Sequence, residues 1–226
     1  MNAHPLDRVV QSALASSRQS HLAVRDGGAV RMASGYGVFV AVDDPAVTSD
    51  VQRLPVPEGK LVSVEALEQS VPQGFRIERE AVLLQMTLGT LKAGKTRPVH
   101  VEKLTDDDAA QMLALATLTE PGPFFEHTHR LGDFYGVKEE GRLLAMAGER
   151  MKPDGFTEVS GVCVHPDAQG RGLAAAVMRC VIEPILARGD IAFLHSYDHN
   201  TRAIALYEGL GFSVRAPMKM RTLVPI

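Results

Sequence analysis

Val162-Cys163-Val164-His165-Pro166-Asp167-Ala168-Gln169-Gly170-Arg171-Gly172-Leu173-Ala174 is the stretch on which the reading of this chain turns. An apolar run stops at a proline, a glycine-rich turn follows, and an alanine-rich helix begins at once. Such a turn points successive backbone N–H groups into one concavity, and the helix N-terminus adds partial positive charge. A pyrophosphate suits that geometry. Glycine at 170 and 172 lets the backbone approach a ligand closely, and Arg171 supplies a charged contact. A plain strand-to-helix turn uses the same glycines, so this stretch alone leaves both readings open.

The pattern on either side is regular. Val99–Leu104 reads as a strand, and Thr105 or Asp106 caps a helix from Asp107 to about Leu118. Pro121-Gly122-Pro123 breaks it, and Phe124–Leu131 reads as a second short helix. Phe134–Lys138 and Arg142–Met151 are strands joined by a Glu-Glu-Gly turn, and Thr157–Val164 is the strand that leads into the turn. After the glycine-rich helix come strand Ile191–Tyr197, helix Thr201–Leu210 and a strand from Phe212. Pro184 falls inside the first of those helices, where it removes a hydrogen bond, so a kink or restart is expected there. Alternation of this kind implies an α/β chain with a mixed central sheet and helices on both faces.

The first half is less informative. Leu6, Val9, Val10, Ala13 and Leu14 recur at helical spacing. Strands are expected at His21–Arg25 and Tyr36–Val42, with Asp26-Gly27-Gly28 turning between them, and at Leu61–Val64 and Ala81–Leu88. Leu54-Pro55-Val56-Pro57-Glu58-Gly59 is loop by its prolines and glycine. The short basic run that ends at Pro98 reads as a linker over 93–98, dividing a domain of residues 1–92 from one of residues 99–226. Gly94-Lys95-Thr96 resembles the end of a phosphate-binding P-loop, but the upstream glycine is read as missing from its required spacing and no strand–loop–helix context follows, so that reading is set aside.

Composition excludes several classes. The 226 residues carry 24 basic and 27 acidic side chains, a net charge of −3, which argues against nucleic acid as a partner. No apolar run reaches the roughly 18–20 residues of a membrane span, and no secretory leader is read at Met1–Val10, so a cytoplasmic protein with no membrane partner is expected. Two cysteines, Cys163 and Cys180, give neither a disulfide framework nor zinc-type spacing, and His127 with His129 lacks a third ligand, so no metal is expected.

Two motifs in one order carry more than either alone. Gln169-x-x-Gly172-x-Ala174 after a Val-x-Val strand resembles the acetyl-CoA signature of the GNAT acetyltransferase superfamily. Some thirty residues on, Asn200-x-x-Ala203-x-x-x-Tyr207-x-x-x-Gly211-Phe212 is similar to that superfamily's second signature. The resemblance covers about Val99 to Met220, and Thr157–Val164 with the His-Pro loop is similar to the FR47-like subgroup. It implies the GNAT acyl-CoA N-acyltransferase fold, preceded here by a smaller α/β domain that reads as a degenerate GNAT-like half. It also implies acetyl-CoA as cosubstrate, a primary amine on a small molecule or peptide as acceptor, and a monomer or homodimer.

Carried over residue by residue, the resemblance assigns the main chain of Val162, Cys163 and Val164 to the pantetheine arm, which would pair as an added strand. One of those N–H groups would polarise the thioester carbonyl. Amides from Gln169, Gly170, Arg171, Gly172, Leu173, Ala174 and Ala175 would hold the pyrophosphate, and Asn200 would contact the pantetheine. An alkyl amine with a pKa of about 10.4 must lose a proton before it attacks. Glu158 matches the family's general base and Glu149 is the second choice, with a solvated strand-end carboxylate as the plainer reading of Glu158. Tyr207 matches the general-acid tyrosine that protonates the leaving thiolate, and would otherwise be a core residue. Cys163 lacks a His–Asp partner set for a covalent role, Cys180 reads as core, and His195 either lines the acceptor pocket or is satisfied within the sheet. A CoA-binding sensor that has lost its chemistry is the alternative to an enzyme.

Overall fold

The computed structural model describes residues 4–66, 68–94 and 99–226. A three-stranded antiparallel sheet is built from β1 (Ala23–Asp26), β2 (Ala29–Met32) and β3 (Val40–Val42). Gly27 takes φ +55° in the β1–β2 turn, so the Asp26-Gly27-Gly28 turn leads into β2 and not directly into the strand expected at 36–42. β2 escapes sequence reading because Ala29, Val30, Arg31 and Met32 are all buried, leaving no apolar–polar alternation to see. Helix α1 (Val9–Ala15) packs its Val9, Val10, Ala13 and Leu14 face into the same core.

The larger sheet has eight strands in the order β4 (Leu61–Glu65), β11 (Phe212–Pro225), β5 (Phe75–Leu88), β10 (Ile191–Tyr197), β9 (Phe156–Val164), β8 (Arg142–Glu149), β7 (Phe134–Glu139), β6 (Glu102–Lys103). The strand expected over 99–104 shrinks to the two residues of β6, paired with β7 at the sheet edge. The sheet does not part at the expected 93–98 linker. β5, from before that linker, is the inner strand between β11 and β10, paired antiparallel with both. β4 lies at the edge beside β11, and Phe39 bridges to it from the small sheet. Dividing 1–92 from 99–226 would strip a central strand from the sheet. Lys95 to Pro98, most of that linker, lie outside the described residues.

Helices close both faces. α2 (Ala109–Thr119) covers β8 and β9 on one side, and α3 (Leu173–Ala187) covers β7, β8 and β9 on the other. β8 is consequently buried from Leu143 to Glu149. α3 presents Leu173, Ala176, Val177, Met178, Val181, Ile182 and Ile185 to the sheet, the three-and-four spacing of a single helix face. Burying each of the large ones stabilises the fold by about 1.5–3 kcal/mol. The helix restart expected at Pro184 is absent: α3 runs through it to Ala187. Only Ile185–Ala187 follow the proline, so the bond it removes belongs to the last turn, where the cost is small. α4 (Thr201–Leu210) completes the layer between β10 and β11.

Candidate active site

Strands β9 and β10 run parallel and pair only at Phe156–Ile191, Thr157–Ala192 and Glu158–Phe193. Beyond Glu158 the two strands separate. The side of β9 that faces β10 is therefore left without a strand partner from Val159 to Val164, while its other side stays bonded to β8. The β8–β9 register also slips between Met146 and Gly148, opposite Gly161 at φ +62°. That bulge turns the main chain of β9 just ahead of Val162. A Cβ at Gly161 would lie 3.1 Å from the Phe134 ring, so glycine answers both the dihedral and the space.

The separation opens a cleft of about 590 Å³. Val162, Cys163 and Val164 form one wall, and the turn from Pro166 to Ala175, excepting Asp167 and Arg171, forms its end. Asn200, Arg202, Ala203, Leu206 and Tyr207 of α4 form the other wall, and Leu118 with Thr119 reach in from α2. At the turn, Gly170 and Gly172 take φ +76° and +80°. Among the described residues, no backbone N–H from Gly170 to Ala175 donates to a protein acceptor. The first that does is Ala176, to the Gly172 carbonyl at 3.2 Å. These amides crown the N-terminus of a 15-residue helix, where the peptide dipoles favour negative charge.

The side chains fall unevenly about this cleft. Tyr207 lines it, is 9% exposed, and packs edge-on to Phe212; burial pushes its phenol up to about 12. Asn200 lines the cleft and caps α4, its Oδ1 accepting from Ala203 N at 3.2 Å. Arg171 does not line it, because its guanidinium is paired with Glu139. The cation at this end is Arg202, whose Nη1 donates to Gln169 Oε1 at 3.1 Å. Sequence reading missed Arg202, although its place two residues after the α4 cap was a usable signal. Cys163 lines the cleft and belongs to the buried cluster with Met112, Leu115 and Ala116, and burial pushes its thiol up to about 12. A thiol so held is a poor nucleophile.

Neither expected base stands in the cleft. Glu158 is fully buried, with 0% of its surface exposed. Its Oε1 accepts from Arg150 Nη2 at 2.7 Å and from His195 Nδ1 at 2.8 Å. Its Oε2 accepts from Arg150 Nε at 2.9 Å and Met151 N at 3.3 Å. A carboxylate offers about four acceptor positions, and all are taken. Burial alone would raise its pKa, but the charge of Arg150 and the bonds from Arg150 and His195 outweigh it and hold the carboxyl well below the usual range. Such a group binds a proton too weakly to take one from an amine. Glu149 is also buried, with one oxygen on Arg188 at 2.5 Å and the other on Lys152 at 2.7 Å. Assignment of either as the proton acceptor is corrected on these grounds.

Other candidates lie elsewhere. His129 Nε2 is 2.9 Å from Asp106, while the His127 ring rests against Tyr36. Cys180 is half-buried on α3. Gly89 does stand five residues before Gly94, the full P-loop spacing, but Lys95 and Thr96 lie outside the described residues and Glu102–Lys103 is a strand. Among the described residues no helix is long and apolar enough to cross a membrane.

Comparison with known proteins gives three findings. A family model described as FR47-like protein matches residues 134–221. N-alpha-acetyltransferase RimI of Mycobacterium tuberculosis is 30% identical over 129 residues, covering 52% of this chain and 80% of that relative. Among solved structures, a GNAT-family acetyltransferase from Novosphingobium aromaticivorans is 42% identical, with a TM-score of 0.92 over 99% of this chain and 100% of the other. A GCN5-related N-acetyltransferase from Kribbella flavida, 18% identical with a TM-score of 0.58, covers 96% of this chain and 95% of its own and supports the fold alone.

Proposed function

This chain belongs to the GNAT family of N-acetyltransferases, in its FR47-like branch, and on that premise we propose that it moves an acetyl group from acetyl-CoA to a primary amine by direct attack. The observation that carries the proposal is the run of unpartnered amides from Gly170 to Ala175 at the closed end of a cleft that also contains Tyr207. Gly170, Arg171 and Gly172 are exposed, so a ligand rich in acceptor oxygens takes the hydrogen bonds that water otherwise receives from these amides. A pyrophosphate suits them, with Arg202, which donates to Gln169, as the cation beside it.

The pantetheine arm takes the strand edge that β10 leaves empty, bonding to main-chain groups of Val162 to Val164. The bulge at Gly161 turns the strand just ahead of Val162, and a main-chain N–H of Val162 to Val164 would stabilise the charge that develops on the thioester oxygen. The amine nitrogen bonds to the acetyl carbon as the carbon–sulfur bond breaks. The departing thiolate takes its proton from the Tyr207 phenol, which is protonated at any neutral pH because burial holds it near 12. Among the described residues no Asp or Glu lines the cleft. The amine therefore reacts from its minor neutral fraction and gives up one of its two protons to water as the amide forms, while water returns a proton to the Tyr207 phenolate.

The acceptor is proposed as a primary amine of a small molecule or a peptide; peptide α-amines are included because one relative is named an N-alpha-acetyltransferase. Purified protein given acetyl-CoA and a panel of amines, amino acids and peptides releases free thiol if this reading holds. Tight CoA binding with no thiol release across a broad panel would instead identify a sensor that keeps the fold without the chemistry.

A further inference from the structure

A buried polar chain crosses the large sheet at the point where β9 and β10 part. It begins with the paired Arg150 and Glu158 and passes to His195, whose Nδ1 lies 2.8 Å from Glu158 Oε1 and whose Nε2 lies 3.0 Å from Gln85 Nε2. The Gln85 amide is oriented by two other bonds: Arg215 Nε donates to its Oε1 at 2.6 Å, and its Nε2 donates to the Leu6 carbonyl at 2.9 Å. Gln85 thus offers His195 an N–H, His195 accepts at Nε2, and the ring proton sits on Nδ1 facing Glu158. Arg215 continues to Asp7, whose other carboxylate oxygen accepts from His4 N at 3.0 Å.

Its position in the sheet gives this chain its meaning. Glu158 with Phe193 is the last parallel pair of β9 and β10. In an unbroken ladder His195, two residues on, would stand opposite Ser160. The strands have separated there, and the ring reaches back to the Glu158 carboxylate instead. On its other side His195 is paired with Gln85 of β5. We propose that Glu158 and His195 are positioning residues, whose contact fixes the place and angle at which β9 leaves β10 and so the width of the cleft. The inference rests on the acetyl-CoA reading of that cleft. Neither side chain lines it, so any effect on the ligand passes through the main chain from Gly161 to Val164. A fully satisfied buried hydrogen-bond network holds one geometry, where an apolar contact would allow the strands to slide.

The test compares two replacements of the ring, by calorimetric titration with CoA and by steady-state kinetics. His195→Phe fills the volume but offers Glu158 no donor, whereas His195→Asn places an amide N–H near the Nδ1 position. His195→Phe is expected to weaken CoA binding and raise KM for acetyl-CoA about tenfold, the scale of one lost hydrogen bond to a charged group. The acid limb of its pH profile for kcat/KM should stay where it is. His195→Asn should recover most of the lost affinity. Glu158→Gln should show the same KM-weighted pattern, and decides the matter if the phenylalanine variant does not fold. Equal behaviour of the phenylalanine and asparagine variants overturns the proposal. A collapse of kcat with the acid limb gone and CoA affinity intact also overturns it, since the pair would then be moving protons. A wild-type protein that binds no CoA sinks the acetyl-CoA reading itself. One that binds CoA but releases no thiol sinks only the transfer step, and the calorimetric comparison still decides this inference.

Discussion

Gly172→Glu separates the role of the phosphate turn from its shape. Gly172 sits at φ +80° with nothing within 4 Å of where a Cβ would stand, so a side chain there meets backbone strain but no clash. A non-glycine residue in that region costs about 1–2 kcal/mol. Free and ligand-bound protein bear this cost alike, so it lowers stability and leaves affinity almost untouched. The added carboxylate acts differently. At about 5 Å and a dielectric near that of water, each pair of unit charges repels by about 0.8 kcal/mol, and two phosphate charges give about 1.7 kcal/mol. That corresponds to more than a tenfold loss of CoA affinity. Gly172→Ala is the control, carrying the strain without the charge. Calorimetric titration should show weakening of at least about tenfold for the glutamate variant and much less for the alanine variant, while thermal melts of the two fall together. Raising salt to about 1 M, where the Debye length is near 3 Å, should narrow the gap. Equal affinities for the two variants, or a gap that salt does not touch, would refute the placement of a diphosphate at these amides.

Two further outcomes follow from other side chains. Tyr207→Phe should lower kcat by about a hundredfold, the usual scale for a positioned acid, with CoA affinity unchanged. Because burial holds the phenol near 12, its titration should put no alkaline limb into the wild-type pH profile below about pH 11; a kcat indifferent to the substitution removes Tyr207 from the chemistry. Glu65 gives a stability test with a definite sign. Burial raises its pKa from 4.5 to about 7 against the opposing charge and hydrogen bond of Arg8. A raised folded-state value means its favourable contribution is complete below about pH 4.5 and is lost as pH rises through about 7. Urea unfolding between pH 5 and 8 should therefore show wild type losing stability relative to Glu65→Gln, by at most about 3 kcal/mol. Glu158, with its pKa depressed, has the opposite sign and changes only at acid pH below that range. A difference between the two proteins that stays flat across the series would refute the assignment.

The C-terminal half is legible in sequence because its elements are long and locally coded. Ile191–Tyr197 and Thr201–Leu210 fall where periodicity and capping place them. The turn at 165–172 is announced by a proline and two glycines whose dihedrals need them. What could not be read is non-local. β2 has no alternation, since both of its faces are buried. The inner place of β5 depends on Phe212–Pro225 pairing with it along almost its whole length, more than a hundred residues away. The basic run before Pro98 looks like a domain boundary by composition, yet composition says nothing about which sheet a strand joins. Arg171 was legible as a cation near a phosphate, but its capture by Glu139 is a tertiary fact, as is the arrival of Arg202 beside Gln169.

Glu158 shows how one tertiary contact changes what a residue can do. A glutamate on the strand that enters a phosphate turn has the reach and the chemistry of a base, provided one lone pair stays open to substrate or water. Arg150, eight residues earlier across the β8–β9 turn, fills one position on each oxygen, and His195 and the Met151 amide fill the others. Removing any one donor would leave a buried charge short of a partner, a cost of about 3–5 kcal/mol where an ion pair is broken. The carboxylate is thus held ionised, with its acceptor positions filled, at the last register before the strands diverge. On the proposed reading, a group in that state acts by fixing the angle at which the two strands part. On the same reading, the proton that leaves the amine passes to solvent, since among the described residues no Asp or Glu lines the cleft.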